Sequence, residues 1–145
     1  MKNIILVLFL LISINVFAQN DEDRWVDSVF NSLTIEQKVG QIMNLRANNP
    51  NKEFDAKIDE YIKKYNIGGV TFFRTDAEKL LLQANEWQLM AQTPLMIAID
   101  GEWGLGMRIN DGLSYPYQMT LGAVTNDSLI SEMGRQIAEQ CTRLG

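Results

Sequence analysis

The 145-residue chain contains no histidine and a single cysteine, Cys141. Without an imidazole these residues hold no Ser-His-Asp arrangement and no His-containing zinc site, and a lone thiol has no disulfide partner in the chain. Positive charge is also scarce. Thirteen Lys and Arg stand against 18 Asp and Glu, giving a net charge of −5 with no basic cluster. That balance makes nucleic acid and other polyanions poor partners. No apolar run approaches the ~20 residues of a membrane span.

The longest apolar stretch, Ile4 to Ile14, follows Lys2 and precedes the small residues Val16 and Ala18 on either side of Phe17. This order of basic end, short apolar core and small-residue site predicts a secretory signal peptide over residues 1–18, cut after Ala18. A membrane anchor is the competing reading, but the run is short and the NDEDR that follows it is acidic. The expected product is exported, periplasmic or extracellular, with no stable membrane span. Residues 19–32 read as a polar lead-in.

From there the pattern alternates. Thr34 and Gln37 form a capping box that opens a short helix, and an apolar run, QIMNL, predicts a strand from near Gln41. After an Asn-rich connection with Pro50, the residues Phe54, Ile58, Tyr61, Ile62 and Tyr65 fall on one helical face. Asn66 and the pair Gly68-Gly69 end that helix and open the strand run GGVTFF. Thr75 and Glu78 repeat the capping-box pattern before a helix with Leu80, Leu81, Ala84, Trp87 and Met90 on its apolar side. Pro94 then stops the helix and introduces LMIAI.

Strand starts near Gln41, Gly68 and Leu95 are evenly spaced, with a helix in each interval. Such alternation means a parallel sheet with right-handed crossovers, in a barrel or a doubly wound sheet. The units share no residue motif, which argues against a solenoid. A last helix opens around Thr125 to Asp127, turns Leu129, Ile130, Met133, Ile137 and Cys141 inward, and runs to Arg143 and Gly145, where a further strand would begin. A barrel needs eight βα units and typically ~250 residues. The expectation is therefore the truncated front part of a larger α/β enzyme, which alone would fold poorly.

The candidate site lies in PLMIAIDGEWGLGMR, Pro94 to Arg108. A buried-strand run, Leu95 to Ile99, delivers the carboxylate of Asp100 onto a glycine-rich loop, the position where βα proteins bind ligands. Asp-Gly is also an ordinary turn signal. Glu102, two residues on, is expected to face away or brace the loop rather than act as acid or base. Gly101, Gly104 and Gly106 run in the reverse order of the dinucleotide fingerprint, so no cofactor is indicated and tight turns are. Trp103 is either a platform for a sugar's apolar face or packing beneath the loop. Trp87 and Cys141 sit on apolar helical stripes and are expected in the core. Pro116 falls in an extended connection.

The ordered blocks LTIEQKVGQIM, NIGGVTFF, PLMIAIDGEWGLGMR, YPYQMTLGA and IAEQCTRLG resemble the N-terminal part of glycoside hydrolase family 3, on its bacterial β-N-acetylhexosaminidase side, over residues 33–145. The resemblance implies the first three units or so of a (β/α)8 TIM-type barrel that hydrolyses terminal β-linked sugars with retention. It implies that Asp100 accepts hydrogen bonds from hydroxyls of the terminal sugar and that Arg108 supports the same corner. A carboxylate can take two such bonds, and a guanidinium fixes its orientation and charge. Trp103 and Leu105 depart from the Gly-Gly-Arg of many relatives. The family's nucleophilic aspartate and its acid/base, a histidine in hexosaminidase members, are expected beyond Gly145, so no catalytic residue, metal or cofactor is assigned here. A β-glucosidase-like member or a non-catalytic sugar-binding relative remains the alternative, and the carbohydrate is the expected partner.

Overall fold

The computed structural model describes residues 20–48 and 52–145. The expected signal peptide at 1–18 and the connection at Pro50 lie outside these residues. Two compact units result, Met1–Leu33 and Thr34–Gly145. In the first, the polar lead-in is a helix, α1 (Asp21–Ser32), whose N-cap Asn20 accepts a bond from the Asp23 amide at 2.7 Å. Three acidic residues in its first turn favour the helix dipole. Local capping in DEDR outweighed the polar composition from which no element was expected.

The second unit begins with α2 (Ile35–Gln41), opened by the predicted box: Gln37 N–H donates to Thr34 Oγ1 at 3.2 Å and Thr34 N–H to Gln37 Oε1 at 3.1 Å. The strand expected from Gln41 starts later, as β1 (Asn44–Asn48). Gln41 instead ends the helix, closed by Ile42 N–H to Val39 O and Met43 N–H to Gly40 O, and its side-chain Nε2 donates to the Asn66 carbonyl at 2.5 Å. Then come α3 (Lys52–Tyr65), β2 (Gly69–Phe73), α4 (Ala77–Met90), β3 (Met96–Ile99), a single 3-10 turn (Leu105–Met107), α5 (Gln118–Leu121) and α6 (Asp127–Leu144).

The strands form one parallel sheet in the order β1-β2-β3, with Asn44 beside Gly69 and Gly69 beside Met96. Three parallel strands alternating with helices are the βα repeat that the sequence predicts. One face carries Ala47, Val70 and Phe72 into a core with Ile58 and Ile62 of α3 and Leu80, Ala84 and Trp87 of α4. Trp87 is fully buried, stacks on Phe72 at 5.5 Å and donates its indole N–H to Asp59 Oδ1 at 2.7 Å. By strand alternation the opposite face carries Asn44, Arg46, Gly69, Thr71, Phe73, Met96 and Ala98. It is polar or open: Thr71 Oγ1 donates to Asn44 Oδ1 at 2.6 Å, and Met96 is 71% exposed.

Helix faces match the predicted stripes in the main. Tyr61 lies at the surface instead of within the core, and Leu129 of α6 is exposed, leaving Ile137, Cys141 and Leu144 against the core. Cys141 is half-buried. The second capping box does not form. The N-cap of α4 is Asp76, without a side-chain cap bond of its own, and Thr75 Oγ1 turns to the Asp76 carbonyl at 3.3 Å. The first helical amide, Ala77 N–H, is met by Asp111 Oδ1 at 2.9 Å.

Candidate sugar-binding site

The loop after β3 is fastened before it presents any ligand group. Leu105 and Ile109 are buried, 3% and 1% exposed, and hook the loop into the helix-side core. Between them run bonds from Arg108 N–H to Leu105 O at 2.9 Å and from Ile109 N–H to Leu105 O at 2.7 Å. Leu105, which departs from the Gly-Gly-Arg of many relatives, is thus an apolar anchor. Gly104 has φ +90°, a conformation costly for residues with a Cβ, and an added Cβ would lie 2.7 Å from the Tyr115 ring and 2.9 Å from Leu113 O.

A second fastening joins the loops after β2 and β3. Thr75 N–H donates to Arg108 O at 3.1 Å, and Asn110 N–H donates to Thr75 O at 2.9 Å. Asn110 Nδ2 also donates to Asp76 Oδ1 at 2.8 Å, opposite Lys79 Nζ at 2.7 Å from Oδ2. Lys79, and then Asn110, hold the Asp76 carboxyl below the usual carboxylate range. The backbone between Thr75 and Asn110 therefore brings Arg108 back toward the end of β2.

There the predicted pair meets. Arg108 Nη2 forms an ion pair with Asp100 Oδ2, and Arg108 Nε donates to the Asp100 carbonyl at 3.2 Å. The Arg108 side chain is 22% exposed and that of Asp100 42%. The guanidinium is thus the held member. The carboxylate keeps Oδ1 accessible, with no hydrogen-bond donor to it among the described residues. An ionised oxygen with a fixed orientation and an open lone-pair direction is an acceptor for a ligand hydroxyl.

Arg108 is also braced by an aromatic ring that the sequence pattern did not single out. Its guanidinium carbon lies 4.5 Å from the Phe73 centroid, and that of Arg46, from β1, lies 4.2 Å from the same centroid. Both residues sit on the open face, where alternation beside the apolar Val70 and Phe72 could have placed them. Trp103 is half-buried and meets the exposed Tyr117 edge to face at 4.7 Å and 84°. The strand-like pairing of its loop is completed by Tyr115 N–H to Trp103 O at 2.8 Å. Glu102 is exposed, with its carbonyl held by Gln118. Among the described residues no group of three His, Cys, Asp or Glu could hold a metal ion.

Three parallel strands alternating with helices, the third strand ending on the Asp100–Arg108 ion pair, are the front part of a TIM-type α/β fold. Residues 34–145 match the model of the glycosyl hydrolase family 3 N-terminal domain, and the chain belongs to this family. A solved structure titled β-glucoside phosphorylase BglX bound to 2FGlc is similar at TM-score 0.51 and 22% identity, over 61% of this chain and 16% of that one. A second, titled β-glucoside phosphorylase BglX, gives TM-score 0.45 and 21% identity over 61% and 14%. The chain spans less than a fifth of either. A comparison with curated proteins gave no match.

Proposed function

We propose that this chain supplies the first βα units and a sugar-binding corner of an exported retaining glycoside hydrolase, one that removes terminal β-linked N-acetylhexosamine from peptidoglycan or glycan fragments. The observation that carries the reading is the Asp100–Arg108 pair at the end of β3, with one carboxylate oxygen tied to the guanidinium and the other open. Such an acceptor takes charge-assisted hydrogen bonds from ligand hydroxyls. Family membership supports the hydrolase class, and the secretory pattern of residues 1–18 supports export.

Retaining hydrolysis also requires a nucleophilic carboxylate and an acid/base about 5–5.5 Å from it. Neither role is assigned within Asn20–Gly145. β-Glucosides are the second substrate reading, because the solved relative's title names a β-glucoside enzyme. The test is release of 4-nitrophenol from its N-acetyl-β-D-glucosaminide and from its β-D-glucoside by the intact protein. Preference for the first is expected, with Asp100→Ala lowering kcat/KM about 10- to 100-fold, the worth of one charge-assisted hydrogen bond. Binding without release from either would replace hydrolysis by simple sugar binding, and an unaffected Asp100→Ala would remove the site.

A further inference from the structure

We propose that Arg46 is an oxyanion-binding residue beside the Asp100 corner, so that the ligand bound there carries a negatively charged carboxylate or is accompanied by phosphate. The proposal deepens the sugar-binding reading and rests on it for the position of the sugar.

The chain's arginines divide into two groups. Arg24, Arg135 and Arg143 lie on helix surfaces and each pairs with a carboxylate of its own helix. Arg46 lies in the middle of β1, Arg74 directly after β2 and Arg108 on the loop after β3, and of these only Arg108 has a carboxylate within ion-pair distance among the described residues.

Arg46 is also positioned, which a solvated surface cation is not. It pairs in register with Thr71 of β2, which pairs with Ala98 of β3, two residues before Asp100. Its guanidinium rests over the Phe73 ring at 4.2 Å. A cation–π contact uses the flat face of the guanidinium and leaves the N–H donors at its edge free. The planar fork of those donors matches a carboxylate or a phosphate edge.

The same ring carries Arg108 at 4.5 Å, so the two guanidinium carbons are separated by no more than those two distances together. Asp100 neutralises one of them. The other, on Arg46, has no carboxylate within ion-pair distance among the described residues, and an oxyanion from the ligand side meets its charge. A single small anion meets this charge without inviting a polyanion, which the acidic surface repels.

The test is calorimetric titration of the intact protein with methyl β-D-glucuronide, methyl β-D-glucoside and inorganic phosphate at low and high ionic strength. The two glycosides differ only in a carboxylate against a hydroxymethyl group. At low salt, the expected result is at least tenfold tighter binding of glucuronide than of glucoside, or phosphate binding that Arg46→Gln abolishes. The first outcome assigns the anion to the sugar and the second to phosphate. Arg46→Gln is expected to erase the glucuronide preference with glucoside affinity held within twofold, and Arg46→Lys, which keeps the charge without the fork, to retain part of it. High salt should weaken the charged probe alone, a readout that needs no variant. Equal binding of both glycosides without phosphate binding, or equal weakening of both by Arg46→Gln, overturns the proposal while leaving the sugar site intact. Phosphate binding without either glycoside supports the oxyanion site and assigns the anion to phosphate, while the N-acetylhexosamine reading is decided by the 4-nitrophenyl glycoside assay above.

Discussion

Asn66 and Thr93 close a ring of two hydrogen bonds: Asn66 Nδ2 donates to Thr93 Oγ1 at 2.9 Å, and Thr93 N–H donates to Asn66 Oδ1 at 3.1 Å. The two residues follow α3 and α4, so the ring ties together the turns that precede β2 and β3. Both are buried, and Asn66 holds φ +49°. On a βα barrel this N-terminal side is the stability face, opposite the Asp100–Arg108 pair.

Replacing Asn66 by Ala removes both bonds, strands the buried Thr93 amide and forces a Cβ-bearing residue without a local partner into the left-handed region. A loss of about 2–4 kcal/mol is expected. Asn66→Gly keeps the backbone accessible and should be less damaging than Asn66→Ala by ~1 kcal/mol. Urea unfolding of the two variants measures the difference, and equal stabilities would mean that the left-handed turn carries no strain.

At the opposite face, Gly104→Ala should lower sugar affinity more than it lowers the unfolding midpoint. The new Cβ meets the Tyr115 ring and the Leu113 carbonyl, so the loop between Trp103 and Tyr115 must shift. Leu105 and Ile109 keep the loop's base in the core. A backbone cost of about 1–3 kcal/mol is expected, together with a change in the near-ultraviolet circular dichroism of the Trp103–Tyr117 pair. An unchanged spectrum with unchanged affinity would show that the glycine is dispensable.

Asp55 supplies a pH-dependent test. Its Oδ1 is buried without a hydrogen-bond partner, and burial, with Asp59 beside it, raises its pKa above the ordinary aspartate value. The folded chain thus binds this proton more tightly than the unfolded chain. No penalty exists below the unfolded pKa of ~3.9, and the penalty is complete once pH has risen through the folded pKa. Asp55→Asn should therefore stabilise at pH 7, by on the order of 1 kcal/mol for a partly solvated group, and give no gain near pH 3. Thermal unfolding at the two pH values checks this, and a gain that persists at low pH would assign the effect to packing.

Elements specified by neighbouring residues were legible in the sequence. The Thr34–Gln37 box needs contacts only three residues apart, and the alternation of strand and helix from β1 to β3 needs only periodicity. Asp100 could be found because a buried strand ending on Asp-Gly marks its own C-terminal end. The Thr75–Glu78 box failed because the donor at Ala77 is satisfied from Asp111, a partner that no local pattern contains. Gln41 belongs to the helix rather than the strand, and its side chain donates to the Asn66 carbonyl across the fold, a contact that no local pattern contains. Phe73 and Arg46 escaped notice because their roles depend on which strand face is open, and GVTFF alone reads as uniformly apolar.

The Asp111 contact with Ala77 also orders events in time. Its two residues are 34 positions apart, so α4 is synthesised with its first amide uncapped and waits roughly 2–7 s at ordinary elongation rates for the group that completes it. The second βα unit by itself lacks this cap, a contribution of ~1 kcal/mol. The cap is supplied by the same loop that carries Arg108, so the helix start and the Asp100–Arg108 pair are completed together.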